Sequence, residues 1–365
     1  MPRLPSFGAQ GLANTAWAFS SRGVRDRPLR NAIASAAMPL MAREGRRPSS
    51  AREAHALALS ILALSWSLAF SSPVDPSWRP ALWKRLLQLG EWADGAGCQT
   101  AGTRAGPPER RSARRSGVEE PAILVNSHDM LVLCKPPGWE VDSVVNDTDA
   151  LSVSHFLRQR LSQQDFPLVH EGSFGFGFLH RLDVGSSGLV LVGKTFRGLF
   201  SLQWQKSLYE IMREYQVVSC DLEAAGLRRV DAKVSASGRK ASRTLTEDRG
   251  QPAVSHLLLQ AHLRGGPAAS FHYCILVIQI YTGRRHQIRA HTRAVGHPTA
   301  CDGWYAPSAV LLVGADRTGP APPRSWVRTP RWDGELSPPP KELEGQVFLE
   351  SAAGLQPARE ELGRT

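Results

Sequence analysis

The chain has 365 residues, 42% of them hydrophobic, so a sizeable core can form. Its net charge of +11 and pI of about 9.9 suggest a polyanionic partner, RNA or DNA first and a membrane surface next, with a solvated basic tail as the alternative. Five cysteines without a CxxC pair argue against a disulfide framework or a zinc ribbon and favour a reducing compartment.

The first fifty residues contain only two acids, Asp26 and Glu44, among many arginines. An arginine-rich, acid-poor and serine-bearing start is typical of an organelle transit segment. The same stretch also has the pattern of folded helices, which is the alternative interpretation. We expect an organelle, a mitochondrion or a plastid, in preference to the cytoplasm.

Two helical hairpins are predicted near the start of the chain. Residues 10–41 place Leu12, Ala16 and Phe19 on one helical stripe, followed by a turn and a second amphipathic helix. Residues 59–86 repeat this order, and the sequence Ala-Phe-Ser-Ser ends the first helix of both copies. The phrase LANTAWAFSSRG resembles the octotricopeptide-like repeats of organellar RNA-binding proteins, which implies that this region contacts RNA.

Two copies are fewer than the roughly three that a stable solenoid needs. Either the array is longer than these two copies, or the helices pack on the next domain. The apolar run at residues 56–70 is shorter than the roughly 20 residues that span a bilayer, so it predicts a buried helix, and no membrane partner is expected.

A change of composition divides the chain. Residues 95–119 are rich in Gly, Pro, Ser and Arg and predict a basic linker whose arginines can touch phosphate. The expected organisation is a helical-repeat region at 1–94, this linker, a catalytic domain at 120–315 and an irregular, Pro-rich tail at 316–365.

After the linker, strands alternate with short helices. The predicted elements are two strands within 123–138, a helix at 152–164, a strand at 188–194, a helix at 196–213, a strand opening 213–224, and a long strand, a turn and a helix within 271–298.

Four segments in this part of the chain carry chemistry. HRLDVGSSGLVLVGK (180–194) resembles the catalytic motif of RluA-type RNA pseudouridine synthases. LVLCKPPGWEV (131–141) resembles the family's entry loop, and REYQVV (213–218) resembles the strand of its active-site tyrosine. YTGRRHQIRAH with GHPTACDGWYA (281–306) resembles its closing basic motif and the element that follows.

The resemblance implies an RNA pseudouridine synthase that needs neither cofactor nor metal. Its fold is expected to be α+β, with a mixed, mostly antiparallel sheet and a central cleft, preceded by the small all-α repeat region. Pseudouridylation breaks the bond between uracil N1 and the ribose, turns the base and rejoins it through C5. The expected partner is RNA, whether ribosomal, transfer or messenger RNA, and the expected state is a monomer.

The reaction needs a carboxylate near the anomeric carbon, and the aspartate of HRLD is Asp183. Its role as nucleophile or as base stays open, and a turn-capping aspartate is the alternative. A buried carboxylate is either paired or protonated, and Arg289 matches the family's basic residue that pairs with the catalytic aspartate. Tyr215 matches the family's tyrosine that stacks on uracil or takes part in proton transfer. The alternative is a half-buried strand tyrosine without a role in the reaction.

Substrate contacts are expected from further residues of these motifs. Arg181 matches the arginine that helps to displace the target base, with a second partner for Asp183 as the alternative. Arg284 and Arg285 are expected on RNA phosphate, against a solvated basic helix face. The remaining residues expected to bind substrate are His180, His286, Gln287 and Lys135.

Other interpretations are weaker or rival. His286, His291 and His297 lack a cysteine or acid at ligand spacing, so no metal site is expected. The family's last core strand is hard to find, and AVLLVGAD (309–316) is the candidate for a shortened version. That irregularity motivates a second hypothesis, a non-catalytic RNA-binding protein with a decayed synthase domain. A third is that the two halves come from a mis-joined gene model.

Overall fold

The computed structural model divides into two compact units, residues 1–211 and residues 212–365. These are the first unit and the second unit below. The described residues are 7–22, 24, 26–41, 47–70, 76–95, 119–142, 151–221, 226–236, 244–246, 250–264, 272–300 and 302–306. Residues 96–118 of the expected linker, the candidate strand 309–316 and the expected tail lie outside them.

The helices are α1 (Ala9–Ser21), α2 (Arg27–Met41), α3 (Ala51–Phe70), α4 (Arg79–Gly95), α5 (Val153–Arg158), α6 (Phe196–Ser207) and α7 (Gln287–Ala294), with 3-10 turns at Pro76–Trp78, Pro167–His170 and Gly172–Gly177. The strands are β1 (Ala122–Asn126), β2 (Met130–Lys135), β3 (Gly188–Gly193), β4 (Glu214–Cys220), β5 (Leu227–Asp231), β6 (Val234–Ala236), β7 (Thr244–Thr246), β8 (Val254–Arg264) and β9 (His272–Ile280).

The two predicted N-terminal hairpins are present as α1 with α2 and α3 with α4. Leu12 and Ala16 of the predicted apolar stripe are buried, whereas Phe19 on the same stripe is 36% exposed. The kinship of these hairpins to octotricopeptide-like repeats stays a prediction.

One hydrophobic core joins the N-terminal helices to α6. Of the two possibilities left open for these helices, packing on the following domain is the one observed. The buried residues of this core include Leu12, Ile33, Ile61, Leu64, Leu82 and Leu86 from the N-terminal helices, and Phe196, Leu199, Phe200 and Trp204 from α6. The core therefore continues across the domain boundary that composition predicts.

Helix α3 is long and apolar enough, by length and composition, to cross a membrane. Half of its apolar window is buried within the protein, and α3 packs against α1, α2, α4 and α6. A core helix passes the same test of length and hydropathy, so the test is weak evidence for a span. The predicted helix is present, but it extends over Ala51–Phe70, so the expectation that it is too short to span a bilayer is wrong.

The first unit contains one three-stranded antiparallel sheet in the order β1-β2-β3. Alternate residues of β2 and β3 point into a core that also receives α5, as the period of two in a strand requires. The buried strand residues of this core are Leu131, Leu133, Val190 and Val192.

The second unit is built on a four-stranded antiparallel sheet in the order β4-β9-β8-β5, with β6 and β7 forming a separate hairpin. Its core lies on one face of the sheet and includes Leu257, Leu276, Ile278 and Val295. The α+β class is therefore confirmed, with antiparallel pairing of every named strand among the described residues. The central cleft stays a prediction.

Two predicted helices are shorter than expected. The helix predicted at 152–164 ends at Arg158, and the one predicted at 196–213 ends at Ser207. The second has a clear cause, because Tyr209 adopts φ of +61°, the left-handed conformation that commonly ends a helix.

Candidate active site

Asp183 lies on an exposed turn that directly precedes β3. The residues before this turn run back alongside β3. The Ser186 amide donates to the Asp183 carbonyl at 3.0 Å, which closes the turn. We expected the Asp183 carboxylate to be buried, but it is exposed. An exposed carboxylate remains ionised at little desolvation cost. Burial therefore gives no reason to expect a charged partner for Asp183.

Lys135 holds this turn from beneath. Its side chain is 0% exposed, and Nζ donates to the carbonyls of Pro136 at 3.0 Å, Trp139 at 2.9 Å and Val184 at 3.2 Å. The Gly138 amide donates to the same Val184 carbonyl at 2.8 Å. The Lys-Pro-Pro-Gly loop therefore fixes the residue that follows Asp183. Substrate binding by Lys135 stays a prediction, since all three ammonium donors already have partners.

Burial lowers the pKa of Lys135, and the charge of Asp183 acts in the opposite direction. An ammonium group held by three carbonyls beneath an exposed carboxylate places positive potential at the turn. The arrangement combines a rigid backbone with an accessible acid, which is what a carboxylate acting on a bound molecule requires.

The residues before Asp183 run along the edge of β3. Phe178 forms an isolated antiparallel bridge with Val192, and the Leu179 amide donates to the Leu191 carbonyl at 3.0 Å. The Leu191 amide in turn donates to Nε2 of His180 at 3.4 Å. His180 is thus a neighbour of the strand edge, and its contact with substrate stays a prediction.

Arg181 has an acidic neighbour that the sequence did not reveal. One guanidinium nitrogen lies 3.3 Å from Oδ1 of Asp142, and the arginine side chain is largely exposed. An exposed ion pair of this kind is worth about 1 kcal/mol or less, so the guanidinium can move at low cost. The expected role of Arg181 in displacing a base stays a prediction.

Tyr215 belongs to β4 in the second unit, opposite Ile278 of β9. It is half-buried and packs against the core of that unit. The strand predicted for REYQVV is confirmed by β4, and the expected contact of Tyr215 with uracil stays a prediction.

Gln287 is the centre of a buried hydrogen-bond network. Its Oε1 accepts from the Thr282 hydroxyl at 2.8 Å and the Arg284 amide at 3.1 Å. Its Nε2 donates to the Val254 carbonyl and to the Ser255 hydroxyl, both at 3.0 Å. Both donors and both acceptors of the side chain are therefore used in fixing the basic turn to β8. Its expected contact with substrate stays a prediction.

His291 extends the same network. Its Nε2 lies 2.9 Å from the Ala232 carbonyl and must donate to it, so Nδ1 accepts from the Ser255 hydroxyl at 2.9 Å. Burial lowers the pKa of His291, against the opposing effect of the Ala232 bond. The neutral ring anchors α7 to the sheet.

Arg289 forms a bidentate pair with Asp302. Its Nε donates to Oδ2 at 2.6 Å and a terminal nitrogen donates to Oδ1 at 2.7 Å. Burial would raise the pKa of Asp302, but the hydrogen bonds and the charge of Arg289 outweigh that effect and lower it. The guanidinium also lies 4.7 Å from the ring centre of Tyr305. These contacts hold Arg289 in one orientation.

The other basic residues of this motif lie beside Arg289. Nε of Arg284 donates to the Pro252 carbonyl at 3.2 Å. His286 has φ of +52° at the start of α7, with Nδ1 3.2 Å from the Tyr305 hydroxyl. Arg285 lies between Arg284 and His286 in sequence, and its side chain is half-buried. Phosphate contacts of Arg284 and Arg285, and substrate contact of His286, stay predictions.

The three histidines considered as metal ligands have separate partners. His286 contacts Tyr305, His291 contacts Ser255 and Ala232, and Nδ1 of His297 lies 3.3 Å from the Cys220 carbonyl. Within the part of the chain that the structure describes, no group of three or more His, Cys, Asp or Glu side chains could hold a metal ion.

The expected site residues are divided between the two units. Lys135, His180, Arg181 and Asp183 belong to the first unit, and Tyr215 with the basic motif at 284–289 belongs to the second. The pairing of Asp183 with Arg289 stays a prediction. Sequence reasoning missed Asp302 and Asp142, although Asp302 lies inside the quoted GHPTACDGWYA motif.

Comparison with known proteins agrees with this set of motifs. A family model described as RNA pseudouridylate synthase matches residues 129–294. That segment contains every expected site residue from Lys135 to Arg289. Residues 129–294 of this chain are therefore similar to the RNA pseudouridylate synthase family.

Curated relatives are similar to this chain over half of its length. Ribosomal large subunit pseudouridine synthase D of Yersinia pestis is 30% identical over 183 residues, which are 50% of this chain and 52% of the relative. The protein of the same name from Pasteurella multocida (strain Pm70) is 26% identical over 183 residues, with the same shares. The chain therefore spans about half the length of the curated relatives it matches.

A solved structure, human RNA pseudouridylate synthase domain containing 1, is 24% identical and has a TM-score of 0.39. The match covers 51% of this chain and 70% of the human chain. At this TM-score the likeness supports no argument about this protein.

Arg213 is the first residue of the REYQVV motif. Its terminal nitrogen donates to the Tyr281 carbonyl at 2.6 Å, and its carbonyl accepts from the Ile280 amide at 3.0 Å. A side chain at Gly283 would meet the guanidinium at 2.5 Å. Arg213 therefore fixes the start of β4 against the turn that leads to the basic motif.

Proposed function

We propose that this protein is an RNA pseudouridine synthase in which Asp183 acts on the ribose of a target uridine. The observation that carries the proposal is the combination of the family match with an accessible carboxylate on a turn fixed by Lys135. The chain spans about half the length of the curated relatives, so their activity does not transfer to it directly. Its activity, substrate and partners are therefore proposed from the site.

The proposed reaction is an isomerisation whose atoms balance without a co-reactant. The N1–C1′ bond of the uridine breaks, the base turns, and a C5–C1′ bond forms. C5 loses a proton when it bonds to C1′, and N1 gains a proton in place of its bond to C1′. Asp183 either attacks C1′ or removes a neighbouring proton, and both routes need the carboxylate at a fixed place beside the sugar.

The proposed substrate is ribosomal RNA of a large subunit, with transfer and messenger RNA as the other candidates. The names of the relatives favour the ribosomal substrate. The net charge of +11 supports a polyanionic partner in general. We propose that the protein acts as a monomer and without a membrane, which sedimentation and flotation of the full chain would test.

The decisive variant is Asp183→Asn, which keeps the shape of the side chain and removes its charge and nucleophilicity. We expect pseudouridine formation to fall at least a thousandfold, while the dissociation constant for RNA changes less than about threefold. The measurement is site-resolved pseudouridine mapping of RNA incubated with the full chain.

Asp165→Asn is the matched control, because Asp165 is an exposed acid of the same unit, eighteen positions before Asp183 in sequence. It should retain wild-type activity. Wild-type activity in Asp183→Asn would refute the proposed role of Asp183. Tight RNA binding by a wild-type protein that forms no pseudouridine on any of the three RNA classes would instead indicate the non-catalytic RNA-binding protein.

We also propose an organellar location, supported by the acid-poor, arginine-rich first fifty residues. A fluorescent fusion at the C-terminus of the full chain, imaged in its own cell type, tests this directly. Signal confined to the cytoplasm would reject the proposal.

A further inference from the structure

We define residues 178–186 as the catalytic segment. Helix α6 contacts both the N-terminal helices and β3, the strand beside this segment. All of these elements belong to the first unit. The nature of the contacts shows whether the N-terminal helices are a separate attachment or a support for the catalytic segment.

Helix α4 caps the start of α6 from a distance of about one hundred positions in sequence. Oδ1 of Asp94 accepts from the Phe196 amide at 2.7 Å, and Oδ2 accepts from the Arg197 amide at 3.1 Å. Two of the amides that a helix leaves without an internal partner are thereby satisfied by another helix. Burial raises the pKa of Asp94, and the two backbone donors oppose that effect.

The backbones of α4 and α6 also approach closely. A Cβ atom at Gly90 would lie 2.6 Å from Cα of Arg197, so only glycine fits at this crossing. A glycine contact and a shared cap fix the position of α6 along its axis, and apolar packing of Phe200 and Trp204 fixes its rotation.

Helix α3 reaches the chain that enters the catalytic segment. His55 stacks on Phe200 of α6 with ring centres 6.0 Å apart, and meets the edge of Phe174 at 5.0 Å. Phe174 belongs to the 3-10 turn Gly172–Gly177, which directly precedes the segment. In that turn Phe176 has φ of +53°, an unfavourable conformation that persists only where surrounding packing enforces it.

The last turn of α6 grips the catalytic segment itself. Nζ of Lys206 donates to the Leu179 carbonyl at 2.9 Å, four residues before Asp183. The Leu179 amide is already bonded to the Leu191 carbonyl of β3. Leu179 is therefore held on one side by the sheet and on the other by α6.

We propose that the N-terminal helices hold the catalytic segment in place through α6, with Asp94 and Lys206 as positioning residues for Asp183. This role goes beyond the RNA contact expected of the helical region, and its catalytic half rests on the proposed function. A displacement of about 1 Å at a reacting group can lower the rate about a hundredfold. A bond that holds Leu179, four residues before Asp183, therefore affects turnover.

The first test is Lys206→Met, which keeps the length of the side chain and removes the donor to Leu179. In hydrogen–deuterium exchange of the full chain, we expect exchange in residues 178–186 to rise about tenfold while α6 and α4 stay protected. Turnover should fall about tenfold or more with RNA affinity unchanged, and Lys206→Arg should restore part of both effects.

Gln205→Met is the matched control, because Gln205 is the preceding residue of α6 and is half-buried like Lys206. It should leave exchange in the catalytic segment unchanged. Equal exchange in Lys206→Met and wild type, or the same rise in Gln205→Met, would overturn the role of Lys206.

Asp94→Asn tests the other end of the support and keeps one acceptor oxygen. We expect faster exchange in the first turn of α6 together with faster exchange in residues 178–186. Loosening of α6 with an unchanged catalytic segment would overturn the coupling. Should Lys206→Met fail to fold, this variant decides the matter.

The exchange readout separates the two proposals. A wild-type protein without pseudouridine synthase activity would refute the proposed function. The exchange of residues 178–186 would still show whether the N-terminal helices hold the segment.

Discussion

Asp302 is the acid on which the closing basic motif of the second unit depends. Besides its two bonds from Arg289, it accepts from the Thr299 hydroxyl at 3.1 Å and the Trp304 amide at 3.1 Å. Because the carboxylate is largely buried, we expect Asp302→Asn to destabilise this region by about 2 kcal/mol, a roughly thirtyfold rise in hydrogen exchange of α7.

Asp231→Asn serves as the control for this change. Asp231 also accepts from an arginine, Arg229 at 2.9 Å, but its side chain is mostly exposed. An exposed ion pair contributes little, so exchange of α7 should stay near the wild-type rate. Equal effects of the two substitutions would contradict the importance of the buried pair.

The pH dependence of the Asp302 contribution follows from the lowered pKa. A carboxyl whose folded pKa lies below its unfolded value, about 3.9, stabilises fully above that value. The contribution is lost as pH falls from there through the folded pKa. The difference between wild type and Asp302→Asn should therefore stay constant around neutral pH and close in strong acid.

Single residues were predictable where a motif names them and were missed where only tertiary structure pairs them. The HRLD motif placed Asp183 on a turn, and REYQVV placed Tyr215 on a strand. The bond of Asp94 to α6 spans about one hundred positions, and no local pattern indicates it. Asp302 was within reach, because it stands in a motif already singled out.

The crossing of α4 and α6 is the element contact most sensitive to one methyl group. Gly90→Ala gains about 1 kcal/mol in helix propensity, but its Cβ would strike the backbone of Arg197. Overpacking of this kind costs about 1–3 kcal/mol, so we expect net destabilisation and faster exchange in the first turn of α6.

Gly95→Ala is the matched control in the same helix, since an added Cβ at Gly95 has nothing within 4 Å. It should be neutral or slightly stabilising. A stabilised Gly90→Ala protein would show that the two helices can separate at no cost.

Elements with a clear apolar period were predicted, and those with mixed composition were not. Strands β2, β3 and β9 alternate or run apolar, and their positions were recognised. Strand β8 carries two histidines and a glutamine among its residues, and its long pairing with β9 was missed. The early end of α6 depends on the backbone of Tyr209, which propensity does not reveal.

At the scale of the whole molecule, the shared core of the first unit makes the N-terminal helices inseparable from α6. A chain that begins at Glu119 would expose Phe196, Leu199, Phe200 and Trp204. Burying each is worth about 2 kcal/mol, and together they approach the whole stability of a typical domain. We expect this truncated chain to lose protection in α6 and to aggregate.

Adding residues 1–95 as a separate chain should restore protection in α6, because the contact surfaces are complete in the two pieces. Native exchange rates in the truncated chain alone would contradict the shared core. Sequence reasoning left this point open, since an apolar helical stripe shows that a partner exists and does not identify it.

The aromatic contact at the centre of this core has an optical consequence. Trp204 of α6 lies 6.1 Å from Trp78 and 5.5 Å from Trp83, measured between ring centres. Indoles this close couple their excited states, which produces a paired band of opposite signs in circular dichroism. Docking of the N-terminal helices can thus be followed without a label, and Trp83→Phe should weaken the band while the helices remain in place.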